Sequence, residues 1–287
     1  MVAAKTALRI QTVPGFMFGI GMTFFPTVFL GAYGGAIPEG TTSEIMAMFA
    51  LGLLGLQALQ SSMAGTAFSR KAVSERAAGL VCLYSGLLWF AILATDTKYL
   101  AMRKYPEMLP AAKLVPNYLI NVAMIWVCVS GWRASGSPMP NVGTPKGILA
   151  TPILVQGVNL GFFAAGLTFA TQPFGDMYFP GQQAKVAPAQ LELIHHIFMV
   201  AGVFMFCNIA MAWGASGVDA DANYRILRTG IYGAMIYLGQ FAREGMAMRI
   251  AGWDVPMYPM TFVQVFAVTF YCTSALGDHP VKVDKAA

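Results

Sequence analysis

The sequence predicts an all-α polytopic membrane bundle of about eight transmembrane helices, arranged as two parallel four-helix repeats. Three observations predict it. Only 11% of residues are charged and 57% are hydrophobic, with a mean hydropathy of +0.60. A soluble domain carries about 25% charge, so this composition belongs to a chain whose outer surface meets lipid. Apolar segments near the roughly 20 residues needed to cross a bilayer recur eight times. The second half of the chain also echoes the first.

The predicted spans are 13–33, 45–66, 77–95, 115–133, 152–172, 192–214, 225–243 and 259–277. The N-terminal run "MVAAKTALRIQTVPGFMFGIGMTFF" begins with two positive charges and has "GAYGGA" beyond it, which imitates a leader cleavage site. It is read as a first span because it has a counterpart later in the chain. The seventh span is the weakest. Its charge-free part, "TGIYGAMIYLGQFA", is short, and Arg228 and Arg243 must snorkel to the interfaces. The stretch "ASGSPMPNVGTPKG" is the best linker. It divides the chain into a first repeat (1–136), a linker (137–151), a second repeat (152–278) and a C-terminal tail (279–287).

Basic residues lie mainly at segment ends. Of the 18 Lys and Arg, 11 fall on the face that carries both termini and 7 on the other. The positive-inside rule then places both termini on the cytoplasmic-equivalent side, in a bacterial inner membrane or an organellar one. The net charge of +5 is thus a topological signal. No basic patch interleaved with aromatics is present, and a nucleic-acid partner is not expected. The expected partners are the bilayer and either a larger membrane complex or further copies of the chain.

The repeat rests on matches in common order. Gly19 precedes Pro26 by seven residues, as Gly166 precedes Pro173. Glu44 opens "EIMAMF" and Glu192 opens "ELIHHIF". Gln60 aligns with Asn208, "AMR" recurs after the third and seventh spans, and Asn121 aligns with Gln264. Four spans is an even number, so the copies share orientation and the repeat is parallel. Four-span units whose first helix is glycine-rich and ends in "F-x-P" or "Q-P", here "GIGMTFFPTVFLG" and "AAGLTFATQPFGD", resemble the DoxX-like membrane families. That resemblance implies a four-helix membrane bundle in each half. It assigns no functional residue.

Candidate functional residues are few. His195 and His196 sit side by side, with Glu192 one helical turn before them, where i to i+3 or i+4 spacing lets it meet either ring. A single Glu-x-x-His is half of what a di-iron bundle needs, and no second span offers a facing histidine, so neither di-iron nor haem is expected. One histidine suffices as an axial ligand to chlorophyll or for a contact with another hydrophobic ligand. The competing readings are a helix-end polar cluster and a proton relay, histidine being the side chain that titrates near neutral pH. The amides Gln60, Asn208, Asn121 and Gln264 either line a pathway or join helices by hydrogen bonds. The four cysteines lie singly in apolar segments and serve as small core residues. No metal-ligand set and no catalytic motif is present.

Three functions follow. The first is a non-catalytic accessory or scaffold subunit that contacts lipids, pigments or partner membrane proteins. The second is a transporter or channel for a small neutral solute. The third is a membrane enzyme or cofactor protein centred on Glu192, His195 and His196. The non-catalytic subunit is the leading expectation.

Overall fold

A computed structural model of the chain describes residues 2–33, 37–137, 145, 147–216, 218, 221–255 and 257–278. The predicted linker falls mostly on residues outside this set, as does the C-terminal tail with its His279. Every regular element among the described residues is helical. In order they are α1 (Ala4–Phe24), α2 (Pro26–Tyr33), α3 (Thr42–Phe68), α4 (Glu75–Met102), α5 (Ala111–Ala134), α6 (Ala150–Phe169), α7 (Thr171–Tyr178), α8 (Pro188–Ala215), α9 (Ala222–Ile250) and α10 (Met257–Gly277). A short 3₁₀ turn, Gln183–Lys185, joins α7 to α8.

Six of these, α3, α4, α5, α6, α8 and α10, are long and apolar enough to cross a bilayer. The chain is an integral, multi-pass membrane protein. Helix α9, predicted as the weakest span, is long but carries four arginines and does not join the six. Helix α1, with Lys5 and Arg9 in its first turns, also falls outside them.

Local chemistry sets the helix ends. Thr41 caps α3 by accepting from the Glu44 N–H at 3.3 Å, while the Glu44 carboxylate accepts from the Gly40 N–H at 2.6 Å. Two orphan donors are satisfied reciprocally, much as in a capping box. Ser74 caps α4 in the same way, from the Ala77 N–H. Pro188 opens α8 in the first turn, where its missing N–H costs nothing.

The first predicted span, 13–33, is two helices rather than one, and it starts nine residues earlier, at Ala4. The chain breaks at Phe25 (φ −129°, ψ 47°), ahead of Pro26, which has no N–H to continue the ladder. The second half has the same backbone turn at Ala170 (φ −136°, ψ 43°), there with Thr171 rather than a proline in the next position. In each break the N–H of that residue bonds back to a glycine carbonyl, Gly21 or Gly166. In each, a phenylalanine ring, Phe29 or Phe174, lies where that glycine's Cβ would stand. The register that superposes the breaks pairs Gly21 with Gly166, so the sequence pairing of Gly19 with Gly166 is shifted by two residues. The order Gly-x-Thr-Phe before each break fits the shifted register.

The helix contacts obey one exchange rule. Replacing α1–α5 by α6–α10 turns α1·α3 into α6·α8, α4·α5 into α9·α10, α4·α8 into α9·α3 and α1·α5 into α6·α10. The α3·α8 contact turns into itself. These two central helices run parallel. Ser43 donates to Gln190 near their N-terminal ends, and Asn208 meets Gln57 further along.

Two close crossings clamp the outer helices to this pair. A Cβ on Gly55 of α3 would stand 2.8 Å from the Thr23 N and 2.9 Å from the Gly19 O of α1. A Cβ on Gly202 of α8 would stand 2.9 Å from the Ala164 O of α6. Backbone cannot yield as a side-chain tip does, so both sites demand glycine. We expect Gly55→Ala and Gly202→Ala each to destabilise the fold by about 1–3 kcal/mol, the usual cost of overpacking. Gly239→Ala, on α9 with no neighbour within 4 Å, leaves stability unchanged. Thermal unfolding of the three variants in detergent checks this.

Candidate functional site

Adjacent residues on a helix point about 100° apart, and the histidine pair uses that angle. His196 faces α4 and α5. Its Nε2 lies 3.1 Å from Asp96 Oδ1, and the two side chains are almost fully buried. Asn117 of α5 donates from Nδ2 to the other carboxylate oxygen, Oδ2, at 2.8 Å. Tyr99, one turn beyond Asp96 on α4, stacks flat on the imidazole, with centroids 4.0 Å apart and planes inclined by 14°. Three helices thus meet at one carboxylate, within about two turns of their ends on the face opposite the termini.

His195 faces the connection into α8. Its Nε2 lies 2.6 Å from Gln183 Oε1. The Gln183 amide donates in turn to Asp176 Oδ1 at 2.6 Å and to the Gln172 carbonyl at 2.9 Å. Glu192 takes a third direction. Its two carboxylate oxygens accept from the backbone N–H of Lys104, each at 3.0 Å, and so tie down the segment leaving α4. The three residues read from the sequence as one cluster therefore have three separate partners.

Below His196 lies a cavity of about 50 Å³. One water needs about 10–15 Å³ of such space, so the cavity has room for a few waters or a solute of similar size. Its wall is apolar over most of its area, with Phe18, Leu54 and Phe204 among the lining residues. The polar part is formed by Asp96, Asn117, Asn121 and His196, with Trp89 beside them. Asn121 is 0% exposed, yet neither its Nδ2 nor its Oδ1 has a hydrogen-bond partner among the described residues. The same holds for His196 Nδ1 and Trp89 Nε1. A carboxylate only accepts, so His196 donates to Asp96 from Nε2, and in the neutral ring Nδ1 is left as an acceptor. The lining thus combines donors (Trp89, Asn121) with acceptors (His196, Asn121).

The exchange rule carries this cavity, framed by α1, α3, α4, α5 and α8, onto a second of about 40 Å³ framed by α6, α8, α9, α10 and α3. The second has no carboxylate or histidine. Gln57, Gln60, Gln156 and Asn159 line it. A third space of about 30 Å³ shares Gln60 and Gln156 with it and reaches Asn208. Asn208 donates from Nδ2 to both the Oε1 and the backbone carbonyl of Gln57, at 3.0 and 3.1 Å. Gln264 donates to Asn159 at 2.6 Å on the exposed side of α10. Of the four predicted amides, Gln60 and Asn121 line cavities, Asn208 joins the two central helices and also borders the third space, and Gln264 bridges α10 to α6.

Asp96, Asn117, Gln183 and Asp176 are site residues that the sequence reading left out. The predicted third span ended at 95, one residue before the carboxylate. Trp89, Ile92, Asp96 and Tyr99 recur at helical spacing, and that periodicity was the available signal for carrying α4 onward to Met102. Among the described residues no three His, Cys, Asp or Glu side chains gather as a metal-binding group. No family model, no curated protein and no solved structure matches this chain.

Replacing Asp96 by leucine leaves the buried His196 Nε2 and the part-buried Asn117 amide without their acceptor. Each orphaned group costs about 1–3 kcal/mol. We expect Asp96→Leu to be among the most destabilising single substitutions in the chain, and Asp96→Asn, which keeps one acceptor oxygen, to recover part of the loss. Chemical or thermal unfolding of the two variants side by side gives the comparison.

Proposed function

We propose that the protein is a transporter or channel for a small neutral solute, and that the cavity beneath His196 is its binding site. The observation that carries this reading is Asn121. An amide buried at 0% exposure with both of its polar atoms unpartnered is costly, and its cost is offset when a guest supplies one donor and one acceptor. A small hydroxylated or amide-bearing molecule does so, and so does water. The cavity size fits such a guest and excludes a tetrapyrrole. Both histidine Nε2 atoms are engaged by protein oxygens, so a pigment bound through either would have to break a hydrogen bond. A purely structural core has no use for an unpartnered asparagine where leucine packs as well, which disfavours the accessory-subunit reading.

The exchange rule among the helices and the matched breaks at Phe25 and Ala170 support a parallel duplication of a four-span, DoxX-like unit. In that arrangement two related cavities flank the α3·α8 pair, one built around Asp96 and His196 and the other around amides. The positive-inside asymmetry sets the termini on the cytoplasmic-equivalent side, so the Asp96 site lies nearer the opposite face.

The test is solute entry into proteoliposomes, followed by light scattering with urea, acetamide and glycerol as probes. Wild-type protein is expected to speed entry of at least one probe over empty vesicles. Asn121→Leu removes both polar atoms of the amide and is expected to cut that rate by about 5- to 160-fold, the range for losing 1–3 kcal/mol of binding. Entry no faster than in empty vesicles for all three probes sinks the proposal.

A further inference from the structure

A roomy, half-open space on the face that carries the termini lies outside the site described so far. It is a cavity of about 180 Å³ between α1, α3 and α9. Arg70, Arg225 and Arg228 line it on one side, and Phe16, Met63 and Ala67 on the other. The arginines come from two different elements, the turn after α3 and the first turns of α9. Asp221 lies 3.8 Å from Arg225 and is about half exposed, and its single carboxylate offsets at most one of the three charges. The remaining contacts of the two α9 arginines fix their guanidinium groups without neutralising them. Arg225 donates to the Ala67 carbonyl at 3.5 Å, and Arg228 donates to the Tyr232 hydroxyl at 2.6 Å with its head 5.4 Å above that ring.

Three guanidinium groups around a space larger than a single water, with one half-exposed carboxylate beside them, keep a net positive charge. They repel one another, and each keeps N–H donors that a neighbouring anion would satisfy. Planar guanidinium donors match the oxygens of a phosphate two at a time. Helix α1, which supplies Phe16 to that wall, exposes Val13 and Met17 one turn or less away, as a face that meets lipid does. A polar, cationic mouth at a helix end beside an apolar flank is the shape presented to a phospholipid whose headgroup sits at the interface and whose chain runs down the bundle.

We propose that this cavity is a binding site for a phosphate-type oxyanion, held by Arg70, Arg225 and Arg228, with the headgroup of an anionic phospholipid as its occupant. The site is independent of the solute cavity: the two share no lining residue and lie toward opposite faces.

The test is native mass spectrometry of the full chain in a neutral detergent, titrated separately with dihexanoyl phosphatidylglycerol, dihexanoyl phosphatidylcholine and inorganic phosphate. One phosphatidylglycerol retained per chain, at least tenfold more tightly than phosphatidylcholine, is the expected result. The Arg225→Gln, Arg228→Gln double variant is expected to lose at least tenfold in that affinity. Arg70→Gln lies on an exposed turn, away from the helix contacts, and is expected to lose severalfold with the fold intact. Inorganic phosphate that binds as tightly as the lipid keeps the oxyanion site and assigns it to a free anion instead. Equal binding of the two lipids, or undiminished binding by both the double variant and Arg70→Gln, overturns the proposal.

Discussion

Everything in the bundle is referred to the parallel contact between α3 and α8. In lipid, two apolar helices gain nothing from hydrophobic burial against each other, because the acyl chains are as apolar as leucine. Close packing and interhelical hydrogen bonds must hold them. Here the Asn208 side chain bonds twice to Gln57, and Ser43 bonds to Gln190 near the opposite end. Each central helix also turns a glycine outward, Gly55 to α1 and Gly202 to α6, where backbone meets backbone. The pair is thereby joined within and clamped on both flanks. The helices beyond it, α5 and α10, expose Leu119, Trp126, Phe266 and Phe270, as expected of faces that meet lipid.

The two flanking cavities follow from that frame. Helices α1 and α6 each break after Phe24 and Phe169, and the short helices α2 and α7 lead away at an angle. The Thr23 carbonyl, freed by the first break, accepts from Arg243 at 3.0 Å, which accounts for an arginine deep in α9 and for its partnership with Glu244. The frame is the same on both sides, but the linings differ. One side holds a carboxylate, an imidazole and two asparagines. The other holds four amides. A shell that is equivalent under exchange and a lining that is not separates what the fold requires from what the site does, since a purely architectural role would constrain both linings alike.

How far the sequence revealed this varies by residue. Composition and apolar periodicity established a helical membrane bundle, and segment ends fell within about four residues for the six strongly apolar helices, except at the end of α4, which runs seven residues past the predicted 95. The break at Phe25 was hidden because "FFPTVFLG" stays apolar across it, and hydropathy does not register a backbone turn. The matching break at Ala170 is likewise apolar on its N-terminal side. Asp96 was hidden for the converse reason. A charge at the end of an apolar run reads as the start of a loop, while α4 continues to Met102 because Asp96 has buried partners on α5 and α8. Such partners are tertiary, and no local pattern in "ATDTKYL" encodes them. His195 and His196 were legible as unusual, but their partners were not.

The histidine pair shows why neighbouring residues in one sequence motif need not form one site. On a single turn of α8, His196 closes the cavity through Asp96, His195 grips the α7–α8 connection through Gln183, and Glu192 holds the chain leaving α4. Each contact alone is an ordinary hydrogen bond. Together they make that turn the place where three chain segments on one face are held in register. The cavity lining and the α7–α8 connection thus both bear on adjacent residues of one helical turn, an arrangement that a lone histidine on that helix could not provide.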